Sequence, residues 1–178
     1  APLVSMQSLP QGYRAIVFGA TGGIGSAFLK HLTSDTKCRE VVGLSRSSDP
    51  AFDLANEISI RNAAETLGGE FHLLIDATGF LSDAIIAPEK SLRALDAQTM
   101  AKLYEVNTIG PTLLMKHFSK QMPRKERAIF ATLSARVGSI GDNRLGGWYS
   151  YRASKAALNM LIKTKKFFSY KVCFLFTR

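Results

Sequence analysis

A run of apolar residues that passes straight into closely spaced glycines, and then into a helix-forming stretch, leaves a chain few ways to fold. Here YRAIVF (13–18) runs into Gly19, Ala20, Thr21, Gly22, Gly23, Ile24 and Gly25, followed by SAFLKHL. Glycines in such a strand-to-helix turn let backbone amides approach a pyrophosphate closely. The helix N-terminus behind them adds unpaired amides and a partial positive charge. The spacing satisfies both G-x-x-x-G-x-G (Gly19, Gly23, Gly25) and G-x-x-G-x-x-G (Gly19, Gly22, Gly25), so it does not choose between variants of the turn.

The rest of the chain repeats the alternation that this turn begins. Strands are expected near 13–18, 40–44, 71–77, 128–133 and 171–176, with helices near 23–33, 55–67, 96–120 and 148–166. Strands this apolar are covered on both faces, and right-handed crossovers then leave an α/β doubly wound parallel sheet, a Rossmann fold in three layers α/β/α. Residues 1–12 read as an extended arm, with 13–178 as one dinucleotide-binding domain. Pro111 lies inside the third helix. It lacks an amide donor and clashes one turn back, which predicts a kink near Val106 and Asn107.

Composition removes several function classes. The 178-residue chain carries a formal charge of +9, but from Lys163 to Arg178 there are five basic residues and no acid. So lopsided an excess does not mark a basic face, and nucleic acid is not expected as a partner. No run of eighteen apolar residues occurs, so no membrane span is expected either. Cys38 and Cys173 are too few for a disulfide framework, which points to a reducing, cytoplasmic location. His31, His72 and His117 are widely spaced, which gives no support for a metal site.

Two further constellations carry chemistry. About twenty residues past the glycines, Gly43-Leu44-Ser45-Arg46-Ser47 offers no acid to hold a ribose 2′-hydroxyl. Arg46, assisted by Ser45, presents instead the planar fork that pairs with a 2′-phosphate, which favours NADP(H) over NAD(H). Tyr151 and Lys155 stand four residues apart in a helix, on one face, so an ammonium sits beside a phenol. Making a free tyrosine a useful acid near neutrality means favouring its phenolate by about 4 kcal/mol, and a neighbouring cation supplies part of that.

Over residues 13 to about 163 the sequence resembles the short-chain dehydrogenase/reductase family. Four landmarks agree in order: the Gly19–Gly25 turn, Asp76-Ala77-Thr78-Gly79 where the family has Asn-Asn-Ala-Gly, Asn107, and Tyr151 with Lys155. The stretch from Ser134 to Met160 is similar to C-factor and sniffer-type carbonyl reductases. The resemblance implies hydride transfer between a nicotinamide and a small carbonyl or alcohol substrate. Tyr151 would be the general acid, Lys155 would lower its pKa and bind the nicotinamide ribose, and Asn107 would hold a water on the proton relay. Asp53 and Leu54 would lie against adenine, and Ala77, Thr78 and Gly79 would line the cofactor.

Two departures from the family pattern stand out. The serine that polarises the carbonyl falls, when aligned on Gly138, at Ala135; Ser134 is the candidate to replace it, with Ser139 a weaker substitute. The resemblance also fades near Lys163, from which an incomplete or divergent C-terminus is expected. The alternative to an enzyme is therefore a nucleotide-binding or interaction protein without the segment that closes over substrate. A homodimer is expected through the helices at about 96–120 and 148–166; Leu113, Leu114, Leu158 and Leu161 serve either its seam or the packing inward.

Overall fold

The structure is a computed structural model that describes residues 7–164 and the backbone of 171–177. Five parallel strands form one sheet: β1 (Tyr13–Phe18), β2 (Cys38–Leu44), β3 (Leu73–Asp76), β4 (Ile129–Ala135) and β5 (Lys171–Thr177), in the order β2-β1-β3-β4-β5. Parallel neighbours need crossovers, and the helices α1 (Gly23–Thr33), α2 (Glu57–Leu67), α3 (Ala97–Tyr104), α4 (Gly110–Phe118) and α5 (Tyr149–Thr164) lie in them. The strand order reverses between β1 and β3. At such a switch point the crossovers leave to opposite faces and open a crevice beyond the strand ends.

The strands alternate into two cores because both of their faces are apolar. Ile16 and Phe18 of β1, with Leu74 of β3 and Phe130 of β4, point to a cluster closed by Ile60, Leu114, Phe118, Leu158 and Ile162. Tyr13, Ala15 and Val17, with Leu73 and Ile75, point the other way, onto Leu32 of α1. The expected three layers are present. Residues 1–6 of the expected arm and 165–166 of the last helix lie outside the described residues. Among the described residues no helix is long and apolar enough to cross a membrane.

Three differences from the sequence expectation bear on function. The helix expected over 96–120 is four pieces: α3, a π-helical segment at Glu105–Ile109, α4 and a short 3-10 turn at Ser119–Gln121. In an unbroken α-helix the nitrogen of Pro111 would face the Asn107 carbonyl with no hydrogen to give. The chain instead widens by one residue, and the Gly110 amide donates to Glu105 O. β4 runs two residues past its expected end at 133, which decides the orientation of Ser134. The proposed dimer seam is corrected: Leu114 and Leu158 are fully buried in the core, and of the four leucines only Leu161 is exposed.

The placement of these leucines is testable by urea denaturation. Leu114→Ala opens a cavity in the main core and should cost about 2–5 kcal/mol, whereas Leu161→Ala should stay within about 0.5 kcal/mol. Equal small effects would place Leu114 on the surface.

Candidate functional site

The glycine turn crosses the switch point. Gly19 has φ +75° and lies so near β3 that a Cβ there would sit 3.2 Å from the Ala77 carbonyl carbon and oxygen. A Cβ on Gly25 would overlap the Gly19 carbonyl, so only glycine lets α1 start this close to the strand. The N-cap of α1 is Gly22, with no side-chain cap and no acid in the first turn, leaving its amides open to an anion.

This turn forms one wall of a cavity of about 510 Å³, lined by Gly19, Thr21, Gly22, Ser45, Arg46, Asp53, Leu54, Ala77, Thr78 and Gly79 among others. Ten of the residues expected to hold a cofactor are thus together. Gly23 and Ile24 are exposed on the first turn of α1 and outside the cavity wall, and Gly25 acts through packing. Arg46 is exposed at the cavity edge and makes no hydrogen bond or ion pair among the described residues. Ser45 is held in a turn by Ser47 Oγ at 3.2 Å and by Ser48. Leu54 packs on Gly110, where a Cβ would overlap it. The residues therefore fit a dinucleotide: a cradle that any side chain would fill, open helix amides, and a free guanidinium.

Asn107, fully buried in the π segment, joins the cavity to α5. Its Oδ1 accepts from the Phe80 amide at 2.8 Å, while its Nδ2 donates to Phe80 O at 2.7 Å and Ser154 Oγ at 3.2 Å. Beside it, Thr108 Oγ1 donates to Ser154 O at 2.8 Å. Asp76 is also fully buried and accepts from Thr132 Oγ1 at 2.6 Å and from the amide and hydroxyl of Thr78. Burial raises its pKa, against the pull of these bonds and of Lys155.

Tyr151 and Lys155 share a face of α5 as expected, but their coupling differs from the expectation. The Lys155 ammonium reaches back to Leu133 O at 2.9 Å and stands 5.9 Å from the Tyr151 ring centre. Burial lowers the Lys155 pKa, opposed by Asp76, and burial raises that of Tyr151. In this arrangement the ammonium donates to a carbonyl, and burial is the cause that acts on the phenol.

Tyr151 opens onto a second cavity, of about 680 Å³, walled by Leu81, Ala135, Val137, Leu145, Trp148 and several charged residues. Strand alternation settles the Ser134 question against the expectation. Because β4 continues through Ala135, that residue faces the cleft, while Ser134 is buried and donates to Asn159 Oδ1 at 2.6 Å. Ser139 is exposed and lines neither this cleft nor the cofactor cavity.

Sequence reasoning missed what aims α5. Gly146, Gly147 and Trp148 all adopt left-handed backbone (φ +64°, +68° and +55°), which is unfavourable for tryptophan. Glu89 holds this turn: its carbonyl accepts from the Trp148 amide, and its buried carboxylate accepts from the Ser150 hydroxyl and amide. Arg152 closes it from the other side, donating to Gly147 O at 2.8 Å and Gly146 O at 3.1 Å. Adjacent left-handed glycines before an aromatic were a readable signal for a constrained turn. Its partner, 61 residues upstream, carried none.

A family model described as short chain dehydrogenase matches residues 51–167. The chain is similar to 1-hydroxy-2-glutathionyl-2-methyl-3-butene dehydrogenase of Rhodococcus sp. (33% identical over 113 residues, 64% of this chain and 48% of that one). It is also similar to C-signal of Myxococcus xanthus (32% over 74 residues, 42% and 45%). The chain spans about half the length of these curated relatives. Among solved structures, NADPH-bound carbonyl reductase from chicken fatty liver superposes with a TM-score of 0.76 at 25% identity, over 92% of this chain and 73% of that one.

Glu89→Ala strands the Ser150 hydroxyl and amide and should lower stability by about 1–3 kcal/mol in urea denaturation. Ser150→Ala should cost less in that background than alone, since the pair is coupled. Strict additivity would show that the two groups act separately.

Proposed function

The chain belongs to the short-chain dehydrogenase family, and from that premise we propose that it is an NADP(H)-dependent oxidoreductase acting on a small ketone, aldehyde or the corresponding alcohol. The observation that carries the reading is the position of Tyr151 and Lys155. Tyr151 lines the substrate cleft, Lys155 lies behind it, and the cofactor cavity adjoins through consecutive residues Phe80 and Leu81.

In this proposal the Gly19–Gly25 turn and the α1 amides hold the pyrophosphate, Asp53 and Leu54 lie against the adenine, and Arg46 with Ser45 takes the 2′-phosphate. Ala77, Thr78 and Gly79 support the rest of the dinucleotide, and Lys155 reaches its ribose on turning from Leu133 O. When bound, the nicotinamide supplies or accepts the hydride. Tyr151 would give its phenolic proton to the carbonyl oxygen of the substrate during reduction, and its phenolate would take the proton back from the alcohol in the reverse direction. Asn107, pinned between Phe80 and Ser154, keeps a water in reach of Lys155 so that the phenol is reprotonated. A homodimer would pair through the outward face of α5, where Met160 and Leu161 are exposed.

A second reading, nucleotide binding without turnover, is favoured by Ala135 standing at the cleft wall where a hydroxyl would polarise the carbonyl. Consumption of NADPH absorbance with a panel of aldehydes, ketones and quinones separates the two. Binding without consumption at any enzyme concentration would overturn the first.

Three outcomes are expected from the enzyme. Tyr151→Phe should lower kcat by about 10²–10⁴-fold; unchanged turnover would end the mechanism. Arg46→Ala should weaken NADPH about 10–100-fold, as for a lost charge-assisted contact, with NADH unaffected. Burial raises the Tyr151 pKa, so the protonated acid persists into alkaline solution. Carbonyl reduction should then fall as pH rises through that raised value, while alcohol oxidation, which needs the phenolate, rises over the same range.

A further inference from the structure

The cleft beside Tyr151 is not neutral. Its wall carries Arg136, Arg144 and Arg152 against a single acid, Asp142. Their situations differ. Arg152 is committed, its guanidinium donating to the carbonyls of Gly147, Gly146 and Val137. Arg136 meets Asp142 only at 3.7 Å, with its side chain 71% exposed and the acid 57% exposed, a separation and exposure at which an ion pair contributes little. Arg144 is exposed and makes no hydrogen bond or ion pair among the described residues. Among the described residues Arg144 is thus unpaired and Arg136 only loosely paired, on the wall of a cavity whose remaining lining is largely apolar: Leu81, Ala135, Val137, Leu145 and Trp148.

The position of these charges excludes a cofactor role. On the proposed reading the dinucleotide's phosphates lie at the other cavity, against the glycine turn and Arg46. What reaches Arg136 and Arg144 is therefore whatever occupies the cleft itself. A planar guanidinium presents paired N–H donors that match a carboxylate bidentately, and two of them on one wall add their fields at the same place.

Resting on the oxidoreductase reading above, we infer that the substrate is a carbonyl compound with an apolar body and a carboxylate at its far end. The carbonyl lies at Tyr151, the apolar body against Trp148 and Leu81, and the carboxylate between Arg136 and Arg144. Asp142 competes for the same guanidinium and so tunes the affinity downward.

Trp148 is the one tryptophan of the chain and lines this cleft, so its emission reports occupancy without any turnover. The test titrates the full chain with 4-formylbenzoate, and in parallel with its methyl ester and with 4-methylbenzaldehyde, reading Trp148 fluorescence. The carboxylate should bind about tenfold more tightly than either neutral aldehyde, with the advantage shrinking as salt rises. Arg136→Gln and Arg144→Gln should each reduce that preference and together abolish it. Asp142→Asn should increase it. Because these side chains are exposed, the thermal midpoint should not move.

Equal affinity for acid and ester, a preference that survives the double substitution, or no response to any of the three would overturn the inference. Failure here is distinguishable from failure of the enzyme reading. If neutral and acidic aldehydes are reduced with the same KM, the oxidoreductase stands and the carboxylate site falls. If the acid binds selectively and nothing is reduced with NADPH, the site stands and the catalytic reading falls.

Discussion

A single buried amide holds together the parts of this molecule that would do chemistry. Asn107 has no solvent to fall back on, and its side chain meets the loop after β3 and α5 at once. Losing any one of these partners would leave a polar group unsatisfied in a place where water cannot compensate, which is far more costly than the bond is favourable. The loop that carries Phe80 and Leu81, the π segment and α5 are therefore tied together. Pro111 is part of the same arrangement, since the widened helix that it imposes brings Asn107 and Thr108 to α5 in succession.

Much of the fold was legible because its determinants are local. Residues 13–25 contain a strand, a turn that tolerates only glycine at two points, and a helix start, all within reach of one another. The alternating strands needed nothing beyond their own apolar pattern. The kink near Asn107 was likewise foreseeable from Pro111, although its form, an extra residue in a wider turn, depends on what the freed carbonyls meet. The dimer seam misled because α4 and α5 carry apolar residues on more than one side. Which side faces the sheet is set by the packing of Leu114 and Leu158 under it.

The site was legible to the extent that each residue's role depended on its neighbours in sequence. Ser134 and Ala135 could not be told apart until the end of β4 was known, because one residue more of strand exchanges which of them faces the cleft. Glu89 was invisible for another reason. Its partner is an amide and a hydroxyl 61 residues away, and nothing near it in the chain marks it as a capping group. The electrostatics of Tyr151 and Lys155 belong to the same class, since their four-residue spacing says they are adjacent but not that the ammonium bonds to Leu133 O.

Gly138 separates two regimes of the molecule. A Cβ there would stand 2.9 Å from Lys155 Cβ and 3.0 Å from its carbonyl carbon, so the chain must leave the sheet against α5 at that point. From Glu89 and Arg152 the other end of the same excursion is equally held. Between these moorings, residues 139–145 are all exposed, and Asp142, Arg144 and Leu145 among them line the cleft. Changes there can reshape what is admitted without disturbing the phenol behind them, and a lineage built on this scaffold can acquire new appetites by drift in one short span.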